Sequence, residues 1–393
     1  MDSKIKNVVV GCGFSGVTMA NKLANELKEE VLIIDAKDHI GGNSYDYYDK
    51  NGICIHKYGA HIFHTNSESV WDYLSQYTKW HPYMHEVKGM VDGQKVPIPF
   101  NLNSIEKLFP RSMAEKLEKK LIENFGFNKK ISILRLRESN DKDLAFLADY
   151  IYEKVFLDYT LKQWGVKPED LDPAITGRVS VYVAKDNRYF QDKYQGIPRA
   201  GYAALINAML SSPLIKVQLG TSFKDVQASI QYERLFYTGP IDEYFDYKFG
   251  ELPYRSLKFD FVEYNQECFQ ENAVVNYPCN YKFTRIVEYK YFLNDRSNNT
   301  VVSFEYPEAF KRGENERYYP VSNEANQELY NKYINEAAQL KNVYFCGRLG
   351  DYRYYDMDKA VSRALELFEE VKRQAHKADL INFKGLKRYD KAA

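Results

Sequence analysis

The pattern of hydrophobic and polar positions changes period twice within the first 35 residues. The apolar run Val8-Val9-Val10 predicts a buried strand, which leads directly into Gly11-Cys12-Gly13-Phe14-Ser15-Gly16. Val17, Ala20, Leu23 and Leu27 then recur at helical spacing, and a second apolar run, Val31-Leu32-Ile33-Ile34, ends at Asp35. Strand, glycine turn, helix and strand in this order predict a βαβ unit.

Farther along, residues 53–65 read as a strand-and-loop element, and 87–91 and 96–99 as a hairpin turning at Asp92-Gly93. Residues 103–165 carry helical patterns. Ser112 with Glu115 reads as a capping box ahead of Leu117, Leu121 and Phe125, and Leu144, Leu147, Ile151 and Val155 mark a second amphipathic helix. A helix is expected over 201–210 and strands over 215–219 and 235–237. Four successive strand patterns follow, over 256–262, 273–277, 284–292 and 300–306. Strands that follow one another without helices between them imply an antiparallel sheet. A late strand, Val343-Tyr344-Phe345, precedes a helix carrying Val361, Leu365, Phe368 and Val371, so the nucleotide-binding unit is discontinuous.

The expected fold is therefore α/β: a discontinuous Rossmann-like domain, a helical insertion lobe and an antiparallel sheet domain. The boundaries drawn are residues 1–85, 195–245 and 335–385 for the first. Residues 100–177 form the helical lobe, and 86–99, 178–194 and 246–334 form the sheet domain. The inserted helical lobe can also carry a dimer contact.

The glycine turn has a chemical reading. Gly11 permits the tight turn, Gly13 lets a pyrophosphate approach the backbone, and Gly16 lets the helix pack close to the strand. Asp35 is placed for a ribose hydroxyl, and the pyrophosphate would rest on the positive end of the helix. Asp35 is followed by Ala36 and then by His39-Ile40-Gly41-Gly42-Asn43. A second glycine turn after the acidic strand end is a feature of flavoproteins of this build and favours FAD over NAD.

Composition narrows the field. Lysine plus arginine and aspartate plus glutamate both total 54 in 393 residues, so no global field draws the chain to nucleic acid or a membrane. No apolar run approaches the roughly 18 residues a membrane span needs, and the N-terminus lacks a signal-peptide core. Five cysteines without a Cys-x-x-Cys pair argue against structural zinc or a disulfide framework and fit a reducing cytoplasm. The 34 tyrosines either pack generally or line a pocket for a sugar and a base. Nucleophile-elbow, zinc-protease and phosphate-loop motifs are missing. His56, His61 and His64 share one segment; they could bind metal only with outside carboxylates, and otherwise serve as structural hydrogen-bonders or face a cofactor.

From Val8 to about Ala364 the chain resembles the bacterial UDP-galactopyranose mutase family. The likeness rests on His39–Asn43, on His56-Lys57-Tyr58-Gly59-Ala60-His61-Ile62-Phe63-His64-Thr65, and on Pro99-Phe100-Asn101. It continues through Tyr159-Thr160-Leu161-Lys162-Gln163-Trp164-Gly165, Asp186-Asn187-Arg188-Tyr189-Phe190 and Tyr194-Gln195-Gly196-Ile197-Pro198. Tyr237-Thr238-Gly239-Pro240-Ile241-Asp242, Tyr254-Arg255-Ser256-Leu257-Lys258-Phe259, Tyr318-Tyr319-Pro320-Val321, Gly347-Arg348-Leu349 and Tyr354-Tyr355-Asp356-Met357 complete it. The resemblance implies an FAD-dependent isomerase interconverting UDP-galactopyranose and UDP-galactofuranose. Reduced flavin N5 attacks the anomeric carbon with no net redox change, which is nucleophilic catalysis by a cofactor. The flavin would be reduced by NAD(P)H or another flavin reductant. A cytoplasmic homodimer serving cell-surface polysaccharide synthesis is also implied.

Residue roles follow the same matches. Arg178 and Arg285 correspond to the arginines that grip the diphosphate, a task suited to a permanently charged, bidentate fork. Thr176-Gly177-Arg178-Val179 is expected to be a mobile loop that closes over substrate. Tyr159, Thr160 and Trp164 match the helix against the uracil, and Tyr189 and Phe190 match the uridine-side wall. Tyr319 and Tyr354 match phenols near the phosphates, and Asp356 the carboxylate beside sugar and flavin. His61 and His64 match the loop under the isoalloxazine, and Arg348 the residue reaching the flavin pyrophosphate. The cofactor set also takes in Gly11, Gly13, Phe14, Ser15, Gly16, Asp35, Ala36, Gly42, Asn43, Tyr58, Ile62 and Met357, with no metal.

The chain departs from the family at Val155, where an aromatic is usual, although Phe156 is adjacent. It departs again at 196–202, which lacks a Gly-Gly before Tyr202, and at His85, where asparagine is frequent. These leave open the same chemistry on dTDP-fucose or UDP-N-acetylgalactosamine. An amine-oxidase-like flavin oxidoreductase would show acceptor-dependent turnover and have no use for paired arginines. A non-catalytic nucleotide-binding module would bind FAD without making furanose.

Overall fold

The computed structural model describes residues 4–170 and 180–389, with side chains described as far as residue 375. Arg178 and its neighbours Thr176, Gly177 and Val179 lie outside the described residues.

The opening βαβ unit forms as its pattern requires. Strand Ile5–Val10 is followed by helix Phe14–Glu26 and strand Val31–Ile34. Val9, Val17, Leu23 and Ile33 are fully buried between them, each such side chain stabilising the fold by about 1.5–3 kcal/mol. The parallel sheet runs Ile215–Gln218, Val31–Ile34, Ile5–Val10, Tyr232–Tyr237 and Val343–Phe345 in space. Strands far apart in sequence thus join one sheet, and helix Met357–Tyr389 returns against helix Phe14–Glu26.

The second layer is a seven-stranded sheet, in the order Tyr319–Pro320, Tyr254–Tyr264, Thr300–Ala309, Arg285–Glu288, Val274–Asn276, Val87–Val91 and Gln94–Ile98. It is antiparallel except for one pair, Val274–Asn276 beside Val87–Val91, which run parallel. That contact joins the hairpin to strands nearly two hundred residues later, a pairing that no local pattern encodes. The strand expected over 284–292 stops at Glu288 and gives way to a short 3-10 turn, Tyr289–Tyr291, with Tyr289 and Phe292 driven into the core.

The helical lobe differs from expectation at two points. Helix Arg111–Phe125 starts after Pro110, so Ser112 is already inside it and makes no capping box with Glu115. Glu115 instead accepts from Arg111 Nε at 2.8 Å. The capping box lies one helix earlier, where Asn101 and Ser104 bond each other's backbone N–H groups. The second difference lies in the run from Lys142 to Trp164, which is helical throughout but passes through a π-helical stretch, Tyr152–Leu157. The wider turn re-aims the side chains that follow, Tyr159 and Thr160 among them.

Candidate active site

The glycine turn opens a cavity of about 730 Å³, within the range of small-molecule and cofactor sites. Gly11 has φ +104°, and a Cβ there would lie 2.0 Å from Thr238 Oγ1, so only glycine fits. At Gly16 a Cβ would lie 2.0 Å from the Gly11 carbonyl oxygen, which is the close helix–strand contact expected of it. No side chain caps the helix at Gly13, so its first N–H groups are left for a ligand. Asp35 shapes this turn from the neighbouring strand, accepting from Cys12 N–H at 2.6 Å and Lys37 N–H at 2.8 Å.

Most of the expected cofactor residues line this cavity: Gly11, Gly13, Phe14 and Ser15 on one wall, and Asp35, Ala36, Gly42 and Asn43 on the next. Tyr58, His61, Arg348, Asp356 and Met357 stand at its far end. Gly16 acts behind the wall, and Ile62 belongs to the neighbouring cavity. An uncapped helix start, a glycine cradle and an arginine across from them fit a dinucleotide with a pyrophosphate.

A smaller cavity of about 160 Å³ adjoins the first, and Asn43, Tyr58, His61, Arg348, Asp356 and Met357 line both. His64, Tyr189, Phe190, Arg285, Tyr319 and Tyr354 also line it. Tyr319 and Tyr354 stack at 5.2 Å, with Trp164 tilted against them at 5.8 and 6.1 Å. Trp164, Tyr159 and Thr160 share the helix Asp158–Trp164, and none of the three is among the residues lining the smaller cavity. Their helix is pinned at its end by Arg255, which donates to the carbonyls of Gln163 at 2.8 Å and Lys162 at 3.0 Å.

The junction is cationic. Arg348 is held by carbonyls, donating to Tyr355 O at 2.6 and 3.1 Å and Tyr318 O at 3.3 Å. Among the described residues no carboxylate pairs with it. Arg285 is bound by Glu305, which is fully buried on the adjacent strand. Burial opposes the Arg285 charge, but the Glu305 carboxylate outweighs it and holds the guanidinium protonated.

The histidines are differentiated. His61 Nδ1 lies 2.8 Å from Gly59 O, so that nitrogen carries the proton and Nε2 the lone pair. Burial, with Arg348 and Arg285 nearby, pushes His61 down to about 4. His56 accepts the His61 backbone N–H at 3.0 Å and is pushed by burial to about 3. Asp46, Cys54 and His56 bring potential ligand atoms within 4.8 Å of one another. Asp46 is already committed, however, accepting from the N–H groups of Tyr202 and Ala203 at 2.6 and 2.8 Å and from the Cys54 thiol. The cluster therefore reads as a helix anchor rather than a metal centre.

Two partners escaped the sequence reading. Glu305 is a lone acid in the apolar run Val301-Val302-Ser303-Phe304-Glu305, a signal that a buried counter-charge stands opposite. Asp192, which meets His64 Nδ1 at 3.0 Å, carries no local signature, because it reaches His64 only across the sheet.

Comparison with known proteins follows the same division. Residues 154–354 match the family model described as UDP-galactopyranose mutase, and residues 9–77 match an NAD(P)-binding Rossmann-like domain. The chain is 39% identical over 370 residues to a probable UDP-galactopyranose mutase of Klebsiella pneumoniae, covering 93% of this chain and 94% of that one. It is 35% identical to a dTDP-fucopyranose mutase of Escherichia coli, covering 92% and 97%. Among solved structures, a reduced UDP-galactopyranose mutase superposes with TM-score 0.71 at 16% identity, covering 95% of this chain and 94% of that one.

Proposed function

The chain belongs to the UDP-galactopyranose mutase family, and on that footing we propose that it interconverts UDP-galactopyranose and UDP-galactofuranose with the help of reduced FAD. The observation that carries the reading is the pair of adjoining cavities. One is shaped for a dinucleotide, and the other is lined by Arg285 and by phenols and opens directly onto it. Bound in the larger cavity, reduced FAD would supply the nucleophile, through N5, that displaces UDP from the anomeric carbon without net redox change.

The protein's own part is to bind, orient and exclude water. Arg285, fixed by Glu305, presents a charged fork to the diphosphate, and in this reading Arg178 supplies the second. Arg348 carries positive charge to the junction, where cofactor and substrate phosphates would both be close. The Tyr319–Tyr354 stack, backed by Trp164, offers phenol donors beside the phosphates and keeps that wall apolar. His61, pushed to about 4, stays neutral at physiological pH and would present a lone pair rather than a charge to a bound flavin. Tyr159 and Thr160 are assigned to the uracil side, Tyr189 and Phe190 to the uridine wall, and Asp356 to the sugar.

A second reading, the same chemistry on dTDP-fucose, is favoured by the nearly equal identity to the dTDP-fucopyranose mutase. One assay decides. Dithionite-treated protein is incubated with UDP-galactofuranose or dTDP-fucofuranose, and pyranose formation is followed by chromatography. Faster conversion of UDP-galactofuranose is expected, together with loss of turnover when reductant is omitted. Equal turnover without reductant would exclude the flavin-nucleophile mechanism. We further assign the protein to the cytoplasm as a homodimer joined through the helical lobe. Among the described residues no helix is long and apolar enough to cross a membrane.

A further inference from the structure

We propose that His64, oriented by Asp192, carries the hydroxyl proton that must pass between the two ring oxygens of the sugar. The proposal rests on the pyranose–furanose reading above. Pyranose and furanose differ in which oxygen bonds C1. When the C1–O5 bond breaks, O5 must gain a proton; when the C1–O4 bond forms, the O4 hydroxyl must lose one. One proton moves from O4 to O5 in sum, and no electrons are gained or lost. A single group that first donates and then accepts balances the exchange in both directions.

His64 is built for this. It lies on strand Phe63–Thr65, whose alternation buries Phe63 and Thr65 and leaves His64 on the smaller cavity. Its Nδ1 is 3.0 Å from Asp192 Oδ2, so Nδ1 carries a hydrogen and Nε2 is the working nitrogen. Among the described residues Nε2 has no hydrogen-bond partner. The ring is clamped by stacking on Phe190 at 3.6 Å. Asp192 is itself fixed: Asn66 donates to its other oxygen at 2.6 Å, and Gln195 donates to its backbone carbonyl at 2.9 Å. The hydrogen bond from His64 holds the Asp192 carboxyl below the usual range.

The other histidines of the cavity are poor candidates. Burial and the arginines push His61 to about 4, and burial with Arg285 and His64 pushes His85 to about 3. Among the described residues, His85 acts beside His64 and Lys130 beside Asp192, Arg285 acts on His85, and Arg348, Tyr319, Tyr354 and Asp356 line the same cavity. Among the described histidines of the cavity, only His64 has a carboxylate hydrogen-bonded to its ring.

The test is the pH dependence of kcat for dithionite-reduced holoenzyme with UDP-galactofuranose. An alkaline limb is expected, because the protonated imidazole acts first in both directions. Asp192→Asn removes the carboxylate that accepts from the ring, so it should move that limb toward lower pH and slow turnover about tenfold, and Asp192→Glu should restore most of it. His64→Gln should abolish the limb and cost about 10²–10⁴ in kcat, the usual worth of general acid–base catalysis, with KM and flavin absorbance retained. In proton NMR of the oxidised enzyme, the low-field Nδ1–H signal of His64 should vanish in Asp192→Asn. A wild-type enzyme with no alkaline limb, an unmoved limb in Asp192→Asn, or near-normal kcat in His64→Gln overturns the proposal while leaving the mutase reading intact. Wild-type protein that isomerises neither nucleotide sugar overturns the mutase reading, and the relay with it.

Discussion

Arg285 Nε lies 2.5 Å from Glu305 Oε2, and the two residues sit directly opposite each other on adjacent antiparallel strands. The strand register therefore places a fully buried acid beside a cation that faces the cavity, so the guanidinium is fixed before any substrate arrives. An arginine held in this way loses little freedom when it grips a diphosphate, which is the general advantage of preorganisation.

Removing the counter-charge should damage both fold and function. Glu305→Gln leaves Arg285 without its buried anionic partner, at an expected cost of about 2–3 kcal/mol in stability. Urea titration of the variant measures this, and steady-state kinetics should show kcat/KM falling alongside it. A variant as stable and as active as the parent would show that the ion pair is dispensable.

Arg285→Ala should separate substrate binding from cofactor binding. The side chain lines the smaller cavity and not the larger one, so the variant is expected to purify yellow. Turnover should nevertheless fall by about two orders of magnitude or more, equivalent to ~3 kcal/mol of transition-state binding. Normal rates would remove Arg285 from the assigned role.

Gly11→Ala should do the opposite. Its Cβ would press on Thr238 Oγ1 at 2.0 Å in a backbone conformation that alanine adopts only with about 1–3 kcal/mol of strain. The expected outcome is protein that folds yet retains little flavin, read as the ratio of flavin to protein absorbance. Full flavin occupancy would mean the turn can shift.

Acid should destabilise the fold through its buried histidines. His56, His61 and His85 titrate in the folded protein near 3, 4 and 3, against 6.5 in the unfolded chain. Their folded values are depressed, so the stability they support is present above pH 6.5 and is lost as pH falls toward 4. Each should cost about 2 kcal/mol between pH 7 and pH 5. The buried Asp46 and Asp242 carboxyls, raised by burial, oppose this only nearer their own titration. Chemical denaturation across pH should show His85→Asn with a slope one proton shallower than the parent. An unchanged slope would mean that His85 is not neutral in the folded state.

The nucleotide half of the molecule was legible in sequence because its information is local. Gly11, Gly13 and Gly16, the helix behind them and the strand ending at Asp35 all lie within 35 residues, and the backbone geometry they require admits few other residue types. The same holds for the hairpin turning at Asp92-Gly93, where Asp92 and Gly93 both take positive φ. The capping box was misplaced because Ser-x-x-Glu also occurs inside helices, and Pro110 set the helix start instead.

What depended on tertiary structure is the pairing of distant groups. Arg285 with Glu305, His64 with Asp192, and Arg348 with the carbonyls of Tyr318 and Tyr355 each join residues on different elements. Sheet order and register create those distances, as does the parallel contact between strands Val87–Val91 and Val274–Asn276. Hydrophobic period and glycine placement act on neighbours along the chain, so the sequence alone determined the dinucleotide turn and the α/β plan. Charge complementarity and burial act through space. For that reason the depressed titration of His61, the fixed charge of Arg285 and the adjoining of the two cavities were settled only once elements distant in sequence came together.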